Sequence, residues 1–187
     1  MKLCFVIHSS IRYFVIASTG IMLIPASAQT SRMPSANDDV RSCRVFTQKF
    51  YDWYWNRFAD KANDLNFDEH KLHWYDDAVK LKPAVLSPEL IGLIKKDQAA
   101  QKATGGIVNL DFDPFLNSQD PQGKYLVSKV IVTQNHCMAT FDRHSVVAEL
   151  KKSGSSWLFI NFHYAYYSED GKKKEFPDND LIHILSN

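Results

Sequence analysis

The sequence has no excess of charge of either sign. Lys and Arg number 22 against 21 Asp and Glu, and the net charge is +1. Nucleic-acid-binding proteins usually carry a basic face, because neutralising phosphates supplies most of their affinity. The near-equal numbers of basic and acidic residues therefore predict no nucleic-acid partner. The short run Lys172-Lys173-Lys174 has acidic neighbours on both sides, and we interpret it as a solvated turn.

The sequence also lacks the compact motifs that carry common enzyme chemistry. It contains no Gly-x-Ser-x-Gly nucleophile motif, no phosphate-binding loop and no dinucleotide fingerprint. These absences predict no cofactor and no catalytic residue. Composition is that of an ordinary globular protein, with 45% hydrophobic and 13% aromatic residues. A chain of 187 residues with this content predicts one domain with a core of its own.

The first 28 residues have the order of a secretory signal peptide. Lys2 and Arg12 are basic, an apolar stretch follows, and Ala26-Ser27-Ala28 matches the small-residue pattern at which signal peptidase cuts. The apolar stretch is shorter than the about 20 residues that a transmembrane helix needs. We therefore predict cleavage after Ala28, no membrane anchor afterwards, and a periplasmic or secreted protein. Residues 29–37 are expected to be a disordered lead-in to a domain over residues 38–187.

Cysteine is scarce, and only Cys43 and Cys137 follow the expected cleavage point. An oxidising compartment permits these two thiols to pair. Free cysteines are also among the most buried residues in proteins. The sequence leaves both states open.

Hydrophobic periodicity predicts an α+β fold. Asp38 or Asp39 is expected to cap a helix that runs to about Ala62, and Ser87-Pro88-Glu89 marks the start of another helix. A short helix is expected around residues 69–75. Three strands follow, over residues 125–134, 138–151 and 156–167, and a last short helix covers about residues 178–185. Helices before an antiparallel meander indicate helices packed on one face of the sheet.

In the third predicted strand, strict alternation separates two faces. Phe162 and Tyr164 then share the more apolar face with Leu158 and Ile160, and Trp157, Phe159, Asn161 and His163 lie opposite.

Several stretches resemble one family of exported bacterial proteins. They are residues 110–120 (LDFDPFLNSQD), residues 157–164 (WLFINFHY), the run Phe50-Tyr51-Asp52-Trp53-Tyr54 and residues 86–90 (LSPEL). Together they are similar to domain-of-unknown-function family 3828, over about residues 40–186. That family resembles the nuclear-transport-factor-2-like, or cystatin-like, superfamily. The resemblance implies a cone of helices on a curved antiparallel sheet, often around a pocket, and it brings no catalytic residues.

The Asp-rich segment offers a weak candidate for a metal site. Asp111, Asp113, Asn117 and Asp120 place four oxygen-bearing side chains within ten residues, and calcium prefers such ligands. The spacing does not fit an EF-hand. A structured loop whose side chains bond to nearby backbone groups is the favoured interpretation, and no metal is predicted.

The candidate ligand or partner contacts are Tyr51, Trp55, Asn161 and His163. Aromatic residues with polar tips suit interfaces and pocket walls, and one helix cannot bury the whole run from Tyr51 to Trp55 on a single face. His163 with a nearby acid such as Asp142 has the composition of a general base. A histidine bonded within the core or at a sheet edge is the competing interpretation.

We therefore predict an exported, non-catalytic binding or accessory module for an envelope protein or a small ligand. An isomerase or hydrolase with His163 as general base is the first alternative. An immunity protein against an exported toxin is the second.

Overall fold

The computed structural model describes residues 35–62, 75–119, 123–142, 145–167 and 173–187, and only the backbone of residues 58–62, 166–167 and 173–178. The helices are α1 (Ala36–Ala62), α2 (Tyr75–Leu81), α3 (Pro88–Thr104) and α4 (Leu181–Ser186). The strands are β1 (Val127–Thr133), β2 (His136–Phe141), β3 (Val146–Ser153), β4 (Ser156–Tyr167) and β5 (Lys173–Asp180). The predicted α+β class is confirmed. The expected signal peptide, most of the lead-in and most of the expected helix at residues 69–75 lie outside the described residues.

Helix α1 begins earlier than predicted, at a capping box. Ser35 and Asp38 bond reciprocally: the Asp38 backbone N–H donates to Ser35 Oγ, and the Ser35 N–H and hydroxyl donate to the Asp38 carboxylate. These bonds satisfy N–H groups that lack partners at the start of a helix. The Ser35 hydroxyl accordingly lowers the pKa of Asp38. The prediction that Asp38 or Asp39 is the cap was wrong by three or four residues, and Ala36 and Asn37 belong to the helix rather than to the lead-in.

Helix α3 has the ends that its sequence predicts. The Ser87 hydroxyl accepts a hydrogen bond from the Leu90 backbone N–H, and Pro88 occupies the first helical position. Gly105 ends the helix with a φ of 70°, a conformation that side chains disfavour. Leu90 and Ile94 are the buried residues of its apolar face.

The five strands form one antiparallel meander in the order β1-β2-β3-β4-β5. The prediction of a single strand over residues 138–151 was wrong, because β2 ends at Phe141 and β3 begins at Val146. The four residues between them include no glycine or proline to mark a turn. The interpretation of Lys173 and Lys174 as part of a turn was also wrong, since both belong to β5.

A β-bulge in β4 overturns the predicted division of its side chains between the two faces. Glu149 pairs with Asn161 and Leu150 pairs with Phe159, so that Ile160 is an extra residue. A bulge shifts the alternation by one position. Trp157 and Phe159 therefore lie on the same face as Phe162, and the rings of Phe159 and Phe162 stack at 5.4 Å.

Helix α1 packs against this inner face of the sheet. The Phe50 ring lies 4.7 Å from that of Phe159, and Trp157 Nε1 donates to the Ser42 hydroxyl of α1. A disulfide joins Cys43 of α1 to Cys137 of β2, with their Cα atoms 6.7 Å apart. Aromatic side chains thus make up much of the interior between helix and sheet, and a disulfide bond links the two. Its largest fully buried side chains include Trp157, Tyr51, Tyr54, Tyr75, Phe115, Phe159 and Phe162.

Side chains of α1 also bind the start of the edge strand β1. Arg44 donates to the carbonyl oxygens of Val127 and Ser128, and Gln48 accepts from the Val127 N–H while donating to the Tyr125 carbonyl oxygen. These bonds satisfy main-chain groups at the edge of the sheet, where a further strand would otherwise pair.

Candidate functional site

The Asp113–Leu116 segment places the Phe115 ring between α1 and the sheet. The ring centroid of Phe115 lies 5.6 Å from that of Phe50, 5.3 Å from that of Tyr54 and 5.0 Å from that of Phe162. The Phe115 side chain is fully buried. Burying such a ring contributes roughly 1.5–3 kcal/mol. Residues 113–116, part of one of the stretches that resemble family 3828, are therefore buried in the core, and we call them the core plug.

Four tyrosine hydroxyl groups bind the core plug. Three donate to consecutive carbonyl oxygens: Tyr164 to Pro114 at 2.9 Å, Tyr51 to Phe115 at 2.8 Å and Tyr125 to Leu116 at 2.6 Å. The fourth, that of Tyr54, donates to the Asp113 carboxylate. A buried polar group without a partner would cost free energy, and these hydroxyls supply the partners. Burial raises the pKa of Tyr51, Tyr54 and Tyr164 well above the usual value for tyrosine.

Asp113 organises the turn of the core plug. Its Oδ1 accepts from the backbone N–H groups of Phe115 at 2.9 Å and Leu116 at 3.0 Å, and the residue is 5% exposed. Burial raises the pKa of this carboxyl to about 6, against the lowering effect of its bond with Tyr54 and the two backbone bonds. Asp113 therefore has the bonds of a structural residue.

The other weak metal candidates do not converge on Asp113. The Asn117 amide donates to the Ser145 hydroxyl at 2.7 Å, and the exposed Asp111 accepts from Gln119 at 3.4 Å. Asp120 lies outside the described residues. No three His, Cys, Asp or Glu side chains are arranged to hold a metal ion in the part of the chain that the structure describes. The described part of the segment is the structured loop that the sequence favours.

Two of the predicted partner contacts on α1 have different surroundings. Tyr51 is 1% exposed and bonds to the core plug, so its prediction as a ligand or partner contact was wrong. Trp55 is half-buried, with its ring 6.5 Å from that of Tyr125. Trp55 keeps part of its side chain at the surface, as the crowding of aromatic residues on this helix predicts.

Asn161 is a structural residue as well, and its prediction as a ligand contact was wrong. Its amide donates to Asp180 Oδ1 at 2.9 Å, and its Oδ1 accepts from the backbone N–H groups of Phe162 and Ile182. Asp180 Oδ1 also accepts from the His183 N–H as the cap of α4. Asn161 thus links the β4 bulge to the start of α4.

The side of the sheet turned away from α1, which we call the outer face, carries three rows of paired residues. The middle row is Ile131, Met138, Glu149 and Asn161, one from each of β1 to β4. On one side of it lie Lys129, Thr140, Val147 and His163, and on the other side lie Thr133, His136, Lys151 and Leu158. Ile131 is 49% exposed, and Lys129 and Lys151 are exposed as well.

A histidine–glutamate–histidine cluster crosses the outer face. His163 Nε2 lies 2.8 Å from Glu149 Oε2, and His136 Nδ1 lies 3.2 Å from Glu149 Oε1. The side chains are 36%, 22% and 48% exposed for His163, Glu149 and His136. The acid that binds His163 is therefore Glu149, and the suggested partner Asp142 was wrong. We call these three residues the His–Glu–His cluster.

The cluster can bind ligands through two outward ring nitrogens. A carboxylate only accepts hydrogen bonds, so each imidazole donates one N–H to Glu149. The second nitrogen of each neutral ring is then an acceptor, and protonation converts it into a donor. The arrangement offers proton-dependent hydrogen bonding beside aliphatic, threonine and lysine side chains.

Of this cluster, sequence reasoning identified His163 but missed Glu149 and His136. Glu149 is the single acidic residue among the apolar positions of β3, and His136 directly precedes a core cysteine. Those positions mark the two residues as outward-facing in their strands. Only the register of β2, β3 and β4 shows that Glu149 lies between His136 and His163.

Comparisons with protein-family models, with curated proteins and with solved structures found no match. The resemblance to family 3828 stays a prediction. No helix among the residues that the structure describes is both long and apolar enough to cross a membrane.

Proposed function

We propose that this chain is an exported, non-catalytic binding module that docks a protein partner on its outer face. The observation that carries the proposal is the contrast between the two sides of the sheet. The inner side is filled by α1 and by the core plug, whose main-chain carbonyls are bonded to tyrosines. The outer face presents exposed lysines, the half-exposed Ile131 and the His–Glu–His cluster.

Export is supported by two features. Residues 1–28 have the order of a cleavable signal peptide, and Cys43 and Cys137 are joined in a disulfide. Stable disulfides form in oxidising compartments such as the bacterial periplasm. The partner is accordingly expected to be an envelope or secreted protein.

Site-specific photo-crosslinking in the native host tests this proposal. The full chain with a C-terminal tag would carry a benzophenone amino acid in place of Ile131 on the outer face. A matched variant would carry it in place of Ala99, an exposed position of α3. We expect a discrete crosslinked protein from position 131 and not from position 99, identified by mass spectrometry. Equal crosslinking from both positions, or none from 131, would contradict the proposal.

The alternative of an enzyme rests on the bond between His163 and Glu149, because a carboxylate that orients an imidazole is a common arrangement in general bases. His163 lies on the outer face and not toward the filled interior. The glutamine variant His163→Gln provides the check: an isomerase or hydrolase would lose turnover, whereas a binding module would keep its fold and lose only affinity.

A further inference from the structure

We infer that the outer face binds an acidic segment of a partner protein, and that the His–Glu–His cluster strengthens this binding at mildly acidic pH. The inference rests on the proposed function, since it names the chemistry of the partner for the same face. Three observations support it. The lysines of this face are exposed, its described carboxylates are already bonded, and each imidazole has an outward nitrogen that can take up a proton.

Among the side chains that the structure describes on the outer face, the basic ones have no acidic partner and the acidic ones are bonded. Lys129 and Lys151 are exposed, and neither forms an ion pair with any residue that the structure describes. Glu149 is bonded by two histidines, and Asp180, at the β5 edge beside His163, is bonded by Asn161 and the start of α4. Among these described side chains, Lys129 and Lys151 therefore remain available for carboxylates of a partner.

Proton uptake by the two histidines adds donors on the same face. His163 neighbours Val147 on β3 and Asp180 on β5, and His136 neighbours Thr133 and Lys151. Because Glu149 already accepts from one nitrogen of each ring, a proton taken up by a ring appears on its outward nitrogen. A partner carboxylate can accept from that nitrogen, and charge-assisted bonds of this kind are stronger than neutral ones.

Apolar side chains lie between the cationic ones. Ile131 and Met138 occupy the middle row beside Glu149, and Val147 and Leu158 lie in the outer rows. A segment that carries both acidic and apolar residues matches this distribution, because the face offers lysine and imidazole nitrogens beside aliphatic side chains. The partner chemistry is thus acidic and amphipathic.

Fluorescence anisotropy with a labelled peptide of alternating Glu and Leu tests the charge requirement on the whole, disulfide-bonded protein. We expect the double variant Lys129→Gln/Lys151→Gln to bind the peptide about fivefold more weakly, as expected when two exposed ion pairs are lost. The matched variant Lys95→Gln/Lys96→Gln removes the same charge from exposed positions of α3 and should bind like the wild type. Equal weakening in both variants, or equal binding of a Lys–Leu peptide, would overturn the inference.

The same assay at pH 5.5 and 7.5 tests the histidines. The wild type should bind more tightly at pH 5.5, where the glutamates of the peptide remain charged. The variant His136→Gln/His163→Gln keeps an amide donor toward Glu149. It should bind the peptide with the same affinity at both pH values. A pH dependence that survives in this variant would overturn the role of the cluster.

The outcomes separate this inference from the proposed function. A protein that crosslinks at position 131 while the Glu–Leu peptide does not bind would overturn the acidic-partner inference and leave the proposed function supported. Peptide binding that depends on Lys129 and Lys151, without any crosslinked protein, would support the chemistry of the face and overturn the proposed function.

Discussion

The buried carboxyl group of Asp113 sets a clear pH dependence at the scale of single residues. Its pKa is about 6 in the folded protein, against an ordinary value of 3.8, because burial disfavours the charged form. An acid with a raised pKa binds more protons in the folded state than in the unfolded state. Its contribution to stability is therefore fully present below about pH 4 and is lost as the pH rises through about 6.

The isosteric variant Asp113→Asn tests this dependence. Between about pH 3.5 and pH 7, the free energy of unfolding of the wild type should fall by about 3 kcal/mol relative to the variant. Urea titrations at a series of pH values measure the difference. The control Asp111→Asn removes the same charge from an exposed position and should leave the pH profile unchanged. Identical profiles for the wild type and Asp113→Asn would contradict the prediction.

At the scale of elements, the predictable parts are those with local signals. The ends of α3 follow from Ser87, Pro88 and Gly105, because capping groups and glycine act within a few residues of the helix end. The extra residue in β4 and the division of residues 138–151 into two strands have no such signal. They depend on pairing with neighbouring strands, which local pattern does not contain.

In the candidate site, too, the local features were predictable from the sequence and the long-range contacts were not. The position of His163 in a strand was predictable from alternation near the end of β4. Its contact with Glu149, 14 residues away in sequence, depends on the register that the bulge sets. The burial of Tyr51 was equally hidden, because its hydroxyl group bonds to a residue 64 positions later. Sequence patterns report which side chains share an element, and long-range register decides which of them meet.

A substitution of Ser87 at the start of α3 tests how much the capping hydroxyl contributes to stability. Ser87→Ala removes the hydroxyl that accepts from the Leu90 N–H and should lower the free energy of unfolding by about 1 kcal/mol. Ser87→Thr keeps a capping hydroxyl and should retain most of the stability. Denaturant midpoints of the three proteins provide the measurement, and the prediction fails if the alanine and threonine variants match.

At the scale of the whole molecule, the disulfide ties the helical half to the sheet. It joins Cys43 and Cys137 over a sequence separation of 94, a span that includes α2, α3, the core plug and β1. Closing a loop of this length restricts the unfolded chain more than the folded one. The link therefore stabilises the packing that holds the outer face on a filled interior.

Removal of the disulfide should cost about 4–5 kcal/mol in the chain-entropy model. The double variant Cys43→Ala/Cys137→Ala should unfold at lower denaturant than the oxidised wild type, and added reductant should change only the wild type. Mass spectrometry after alkylation, with and without reduction, establishes the state of the thiols. Alkylation of both cysteines without reduction would contradict the disulfide.

The position of this covalent link also governs how the molecule responds to mechanical force. Pulled by its two termini, the oxidised chain transmits tension through the sulfur–sulfur bond, and the chain between Cys43 and Cys137, a sequence separation of 94, bears no load. Roughly 320 Å of contour length, at about 3.4 Å per residue, then stays hidden until the bond is reduced. Strands β3 to β5 and α4 extend first, while α2, α3 and the core plug remain in an unstretched loop.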